Sequence, residues 1–119
     1  PINDQSILEQ FELAHTWTKV LGKWEMNETN LRGSVPPEQI FIERIIQLLK
    51  SGGRAAIVLP DSIFSSPGLE FIRVWLMRKT HIIASIDLHA DTFQPHNGTQ
   101  CSILFVVKKS DVEIKKIIE

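Results

Sequence analysis

The chain has 119 residues, 43 % of them hydrophobic and 23 % charged, with a formal net charge of −1 at pH 7. That length supports one domain with a modest core, and that charge excludes a polycationic binder gripping nucleic acid by bulk electrostatics. One cysteine, Cys101, excludes an internal disulfide framework and fits a reducing cytoplasm, and no apolar run approaches the roughly 18–20 residues of a membrane span.

Residues 6–21, SILEQFELAHTWTKVL, place Ile7, Phe11, Ala14, Trp17 and Leu21 close to an i, i+4, i+7 spacing, which predicts an amphipathic helix. Residues 22–35 are polar and contain Gly, Asn and Ser, which predicts a loop. Pro36 and Pro37 suit the first turn of a helix, where a missing N–H costs nothing. In the helix predicted over 37–50, Gln39, Glu43, Gln47 and Lys50 form a narrow solvent stripe. Ile40, Phe41, Ile45, Ile46, Leu48 and Leu49 cover most of the rest, so this helix is expected to be largely buried.

The stretch LLKSGGRAAIVLPDSIF, residues 48–64, then reads as a helix delivering a strand. Gly52 or Gly53 takes the left-handed cap position that residues with a Cβ avoid. Ala55 to Leu59 run apolar without alternation, the pattern of a strand covered on both faces, and Pro60 closes it because it has no N–H for a ladder. Ser65 or Ser66, then Pro67, open a further helix with Leu69, Ile72 and Leu76 on its inner face. Residues 82–88, IIASIDL, and 101–107, CSILFVV, are two more strands, the last leaving through Lys108 and Lys109. The order is that of a layered α/β domain.

The connection between those last two strands, HADTFQPHNGTQ over residues 89–100, has no helix signal. A parallel crossover normally needs a helix, so the two strands are expected to be antiparallel neighbours. Connections this long are functional or disordered, and this one leaves the carboxyl end of a strand, where open α/β sheets hold ligands. The chain opens on Pro-Ile-Asn-Asp and closes on VEIKKIIE in mid-pattern, so a segment of a longer polypeptide is expected. There is no internal repeat.

Few residues read as chemistry. Asp61 and Asp87 stand at or just after strand ends, where α/β enzymes often hold carboxylates, and where carboxylates more commonly cap loops. The histidines, 15, 81, 89 and 96, lack zinc spacing, and Cys101 opens an apolar strand as a small core residue would. The Gly52–Gly53 pair precedes a strand and not a helix, so it is no phosphate loop, and there is no nucleophile elbow. Phe93, among polar loop residues, is either a local plug or a stacking platform for a flat ligand such as a nucleobase. Asn97-Gly98 is a turn signal.

Taken together, PPEQIFIERIIQLLKSGGRAAIVLPDSIF, LEFIRVWLMRKTHIIASIDL and TFQPHNGTQCSILFVVKK resemble the adenine-specific DNA methyltransferases, most of all the modification subunits of type I restriction systems. The likeness covers about residues 1–109 with motifs in order. It implies part of a class I S-adenosylmethionine-dependent fold, with the target adenine flipped out of the duplex. The expected architecture is a three-stranded mixed sheet, strands at about 54–60, 82–88 and 101–108, with flanking helices and 101–108 central and antiparallel to both neighbours. Residues 1–119 would be the C-terminal part of the catalytic domain, downstream of the cofactor loop and the Asn-Pro-Pro-Phe box. No catalytic residue is then expected within the chain, which alone would be inactive.

By the same resemblance Phe93 matches the aromatic that packs on the extruded adenine. Phe41 matches a position near the cofactor's adenine ring, and Pro60, Asp61 and Pro95 line the cleft. His89 departs from the proline usual after Asp-Leu. Double-stranded DNA and the specificity and restriction subunits of the same system are the implied partners, with no membrane. The 54–60 strand, cut off from its neighbour, would expose an edge through which the chain could self-associate. Two rivals share the scaffold: a non-catalytic α/β interaction module, and a methyltransferase acting on RNA or protein.

Overall fold

Residues 15–31 form a β-hairpin where a helix and a loop were expected. The computed structural model describes residues 1–88 and 100–118, and folds them as two compact units, 1–47 and 48–119. In the first unit, α1 (Gln5–Leu8) and a 3₁₀ turn (Glu12–Ala14) lead into β1 (His15–Val20) and β2 (Lys23–Leu31), which pair antiparallel. Thr16, Thr18 and Val20 explain the outcome: β-branched side chains on alternate positions lose χ1 freedom in a helix and fit a pleated ribbon. The turn between the strands puts Leu21 at φ 52° and Gly22 at φ 79°. Such a pair matches the right-handed strand twist, but a left-handed residue with a full side chain is strained by roughly 1–2 kcal/mol. The supposed helical stripe is divided accordingly. Phe11 and Ala14 enter a core with Leu8, Val35 and Ile40, whereas Leu21 is wholly exposed.

The helix α2 (Pro37–Leu48) begins at its proline and buries Ile40 and Ile46 as expected, with Gln47 and Lys50 exposed, but four positions depart from the expected pattern. Gln39 and Glu43 are buried, while Phe41 is 61 % and Leu48 76 % exposed. The cause is a set of specific hydrogen bonds. Glu43 accepts the backbone N–H groups of Glu12 at 2.9 Å and Leu13 at 2.8 Å, and the Gln47 side-chain amide at 3.1 Å. Arg32 donates to the Leu13 carbonyl and to Gln39 Oε1, at 3.0 and 2.7 Å. A backbone bridge between Ile2 and Val35 closes this unit.

The second unit starts from Gly52 at φ 81°. Its neighbour Gly53 has no room for a side chain, since a Cβ there would lie 2.8 Å from the Lys50 carbonyl oxygen. Strand β3 (Arg54–Pro60) follows, then α3 (Ser62–Ser65), a 3₁₀ turn (Pro67–Leu69), α4 (Glu70–Lys79), β4 (Thr80–Asp87), β5 (Cys101–Lys108) and α5 (Asp111–Ile118). The sheet order is β3-β5-β4, with β5 antiparallel to both neighbours. The expected centre and directions hold, but both ladders are antiparallel and the sheet is not mixed. Strands β3 and β4 run the same way without touching, because β5 lies between them.

Strand β3 is not covered on both faces. Ile57 and Leu59 are buried; Ala56 and Val58, alternating with them, are exposed, Val58 by half. Cross-strand partners share a face, so Ile57 with Leu104 and Ala55 with Val106 mark the covered side. Ile63, Ile72, Trp75 and Leu76 of the helices are buried as well, Ile72 and Leu76 being two of the three inner-face residues expected. The opposite side, with Ala56, Val58, Ile83 and Ile86, lies open. Helix α5 has a capping box: Ser110 N–H donates to Glu113 Oε1, and Glu113 N–H donates to Ser110 Oγ. The Ser110 bond, and then the His81 ring nitrogen 2.6 Å from Oε2, hold the Glu113 carboxyl below its ordinary range.

Replacing Glu43 tests why this polar position is buried. Glu43→Leu should destabilise the protein by about 1–3 kcal/mol for each of the two backbone N–H groups it orphans. Glu43→Gln, which keeps one acceptor oxygen, should cost clearly less. Denaturant melts of the two variants decide it, and equal melts would show that the carboxyl does not hold the 12–13 turn.

Candidate functional site

The sheet brings two carboxylates to one end. Strands β3 and β4 both run toward that end, and β5 starts from it, so Pro60, Asp61, Asp87 and Ser102 converge there. By register, Ser102 lies between Leu59 on one side and Asp87 on the other. Its hydroxyl is 2.7 Å from Asp61 Oδ1 and 2.7 Å from Asp87 Oδ1. Ser102 is buried, Asp61 half-buried and Asp87 exposed. A hydroxyl carries one proton, so it donates to one carboxylate at a time and holds both within its reach.

Backbone bonds complete the junction. Asp61 N–H donates to the Gln100 carbonyl, and Leu88 N–H to the Cys101 carbonyl, each at 2.9 Å. Leu88 and Gln100 are thus tied to the ends of the strands. Asp61 precedes α3 but its carboxylate makes no cap bond there. It turns to Ser102 instead, so loop capping does not explain it. The connection after α3 is held by Arg73, whose guanidinium donates to the Ile63 and Ser66 carbonyls at 2.9 Å each.

Of the residues expected to matter, Pro60 and Asp61 stand together at this junction, and Asp87 joins them. Phe41 sits on α2 in the other unit, its ring 61 % exposed. Phe93 and Pro95 lie outside the described residues, as does His89. Ser102 was not singled out from the sequence. The available signal was a lone hydroxyl in CSILFVV, a strand otherwise apolar.

Ser102 bonds to two carboxylates, and the two described histidines are engaged elsewhere, His15 with the Phe11 carbonyl and His81 with Glu113. Among the described residues no three potential ligands gather to hold a metal. Two apolar hollows, of about 400 and 310 Å³, lie away from the carboxylates. The first is on the open sheet face around Ala56, Ile83 and Phe105, with Arg54 at its rim. The second lies beneath α4, between Leu76 and Leu104.

Comparison with known proteins bears on this geometry. The N-6 DNA methylase family matches residues 15–118. The type I restriction enzyme EcoEI methylase subunit of Escherichia coli is 33 % identical over 70 residues, which are 58 % of this chain and 14 % of that relative. The chain therefore corresponds to a small part of the length of that relative.

Ser102→Ala should lower stability by about 1.5–3 kcal/mol, the net value of hydrogen bonds to charged groups. Ser85→Ala, at an exposed strand position, should change it by less than about 0.5 kcal/mol. Thermal melts compare the two, and equal small effects would show that Ser102 does not hold the carboxylates.

Proposed function

The chain belongs to the N-6 DNA methylase family, and from that premise we propose that residues 1–119 are the C-terminal part of the catalytic domain of a type I modification subunit. The full-length enzyme methylates the amino nitrogen of adenine in duplex DNA, alongside specificity and restriction subunits, in the cytoplasm. S-adenosylmethionine, when bound, supplies the methyl group. What supports this reading is the family match over 15–118, joined to a sheet whose reversed strand β5 lies between β3 and β4 as the resemblance implies. No described helix is long and apolar enough to cross a membrane.

The residues divide the work by position. Phe41 presents a flat apolar face outward from α2 and fits a partner for the cofactor's adenine ring. Pro60, Asp61 and Pro95 line the cleft, with Ser102 holding Asp61 in place. Phe93 stacks on the flipped adenine. No group in these 119 residues activates the amine; that belongs to the Asn-Pro-Pro-Phe box upstream, so the segment by itself is inactive.

Alone, the segment also has an edge to cover. Strand β3 pairs on one side only among the described residues, and exposed Val58 lies along it. A strand edge of that kind recruits a second chain. Light scattering of the isolated 119 residues should show a dimer or larger species, and a stable monomer at high concentration would refute it.

Methyl-transfer assays with the full-length protein on DNA, RNA and protein test the reaction. Methyl groups should appear on adenine in duplex DNA; transfer only to RNA or protein, or to nothing, would favour the rival scaffolds. Phe93→Ala should cut the rate about tenfold to a hundredfold, since base stacking on an aromatic is worth roughly 1–3 kcal/mol. Phe93→Trp should keep much of it. A lower melting temperature with unchanged activity per folded molecule would make Phe93 a plug.

A further inference from the structure

Strand β4 is an edge strand with unused apolar surface on both faces. Among the described residues it pairs with β5 alone. The Leu88 N–H bond to the Cys101 carbonyl fixes the phase of that ladder. Inward and outward residues alternate along an antiparallel strand, so Ser85 and Asp87 turn their N–H and C=O groups away from β5. Ile83 is the extra residue of a bulge, since Ile82 and Ala84 face the consecutive residues Val106 and Phe105. The bulge blunts the first half of the edge; the stretch 84–87 beyond it is regular. On the open side of the sheet Ile83 is 65 % and Ile86 51 % exposed. On the side of α4, Ile82 is 45 % and Met77 53 % exposed, and both line the second hollow.

Proteins blunt such edges with lysine or proline, and THIIASID contains neither, nor any arginine. Its charged groups are His81 at one end, tied to Glu113 and preceded by Lys79, and Asp87 at the other. Asp87 and Asp61 share the neutral Ser102 hydroxyl, and among the described residues no cation pairs with either. Glu70 and Arg73, of opposite sign, also line the hollow. We infer that the 84–87 edge takes up an extended segment of another protein chain as an added strand. The segment's backbone bonds to Ser85 and Asp87. Its successive side chains turn to opposite faces, one against Ile83 and Ile86 and the next toward Ile82 and Met77. A lysine or arginine on it meets Asp87. A second copy of β4 fits less well, because that strand has no lysine or arginine to offer. The inference does not rest on the methyltransferase reading.

The test uses the full-length protein and a fluorescein-labelled peptide, Lys-Val-Thr-Ile-Val-Val-Lys, whose two lysines serve either strand direction. Anisotropy should show saturable binding, and hydrogen exchange read by mass spectrometry should slow over residues 80–88. Ser85→Pro removes an outward N–H that β5 does not use. The melting temperature should therefore hold while affinity falls by about tenfold, near the net worth of a lost hydrogen bond. Glutamate in place of both peptide lysines should weaken binding by about fivefold in the parent and by much less in Asp87→Asn, a comparison that stands even if the proline variant fails to fold. No binding to the parent, or binding that both variants leave unchanged, overturns the inference. So do 84–87 amides already protected in the free monomer, which assign the edge to the protein's own fold. A full-length dimer that Ser85→Pro dissolves assigns it to a second copy and overturns the inference as well.

Discussion

The second unit depends on strand β5 lying between two strands that both run against it. Every backbone bond of this sheet uses β5, on one edge toward β3 and on the other toward β4. Its ends carry further ties. At the start, Ser102 reaches Asp61 and Asp87; at the finish, Lys108 donates to the Leu49 carbonyl at 2.8 Å and Lys109 to the Met77 carbonyl at 2.6 Å. Cations at carbonyls left over near helix ends also answer the negative end of the helix dipole. One strand thereby binds the Leu49 and Met77 carbonyls and both candidate carboxylates.

The first unit solves a different problem, that of turning a chain sharply between α1 and a hairpin. The 3₁₀ turn at 12–14 leaves backbone N–H groups that no regular ladder satisfies. Glu43 fills that need from α2, and the cost is that α2 must turn a polar side inward. Apolar Phe41 and Leu48 are displaced to the surface in consequence. An exposed phenylalanine then stands on a helix otherwise rich in Ile. Burial of one carboxyl and exposure of one ring are two sides of the same rotation.

Function in this family member is best sought where unrelated elements converge. Asp61 comes from the end of β3, Asp87 from the end of β4 and Ser102 from the start of β5. The Ser102 hydroxyl holds the two carboxylates within its reach, and backbone bonds tie Gln100 to Asp61 and Leu88 to Cys101 at the same strand ends.

Much of the second unit could be read in the amino-acid sequence. The left-handed glycine before β3, the strand ended by Pro60, the helix opened near Pro67 and the reversal into β5 all follow from local chemistry: missing side chains, missing N–H groups and the absence of a crossover helix. The family resemblance is likewise carried by such linear motifs. Tertiary structure alone decided the rest. A spacing of apolar residues over 6–21 fitted a helix, but β-branched Thr16, Thr18 and Val20 favour a strand, and pairing with 23–31 completed the hairpin. Gln39 and Glu43 looked like a solvent stripe until the orphaned N–H groups of residues 12 and 13 supplied partners for one of them and Arg32 for the other. Ser102 and its two aspartates are 15 and 41 residues apart in sequence. Local propensity is a property of neighbours along the chain, whereas hydrogen-bond demand is met by whatever the fold brings near, and these sites were decided by that demand.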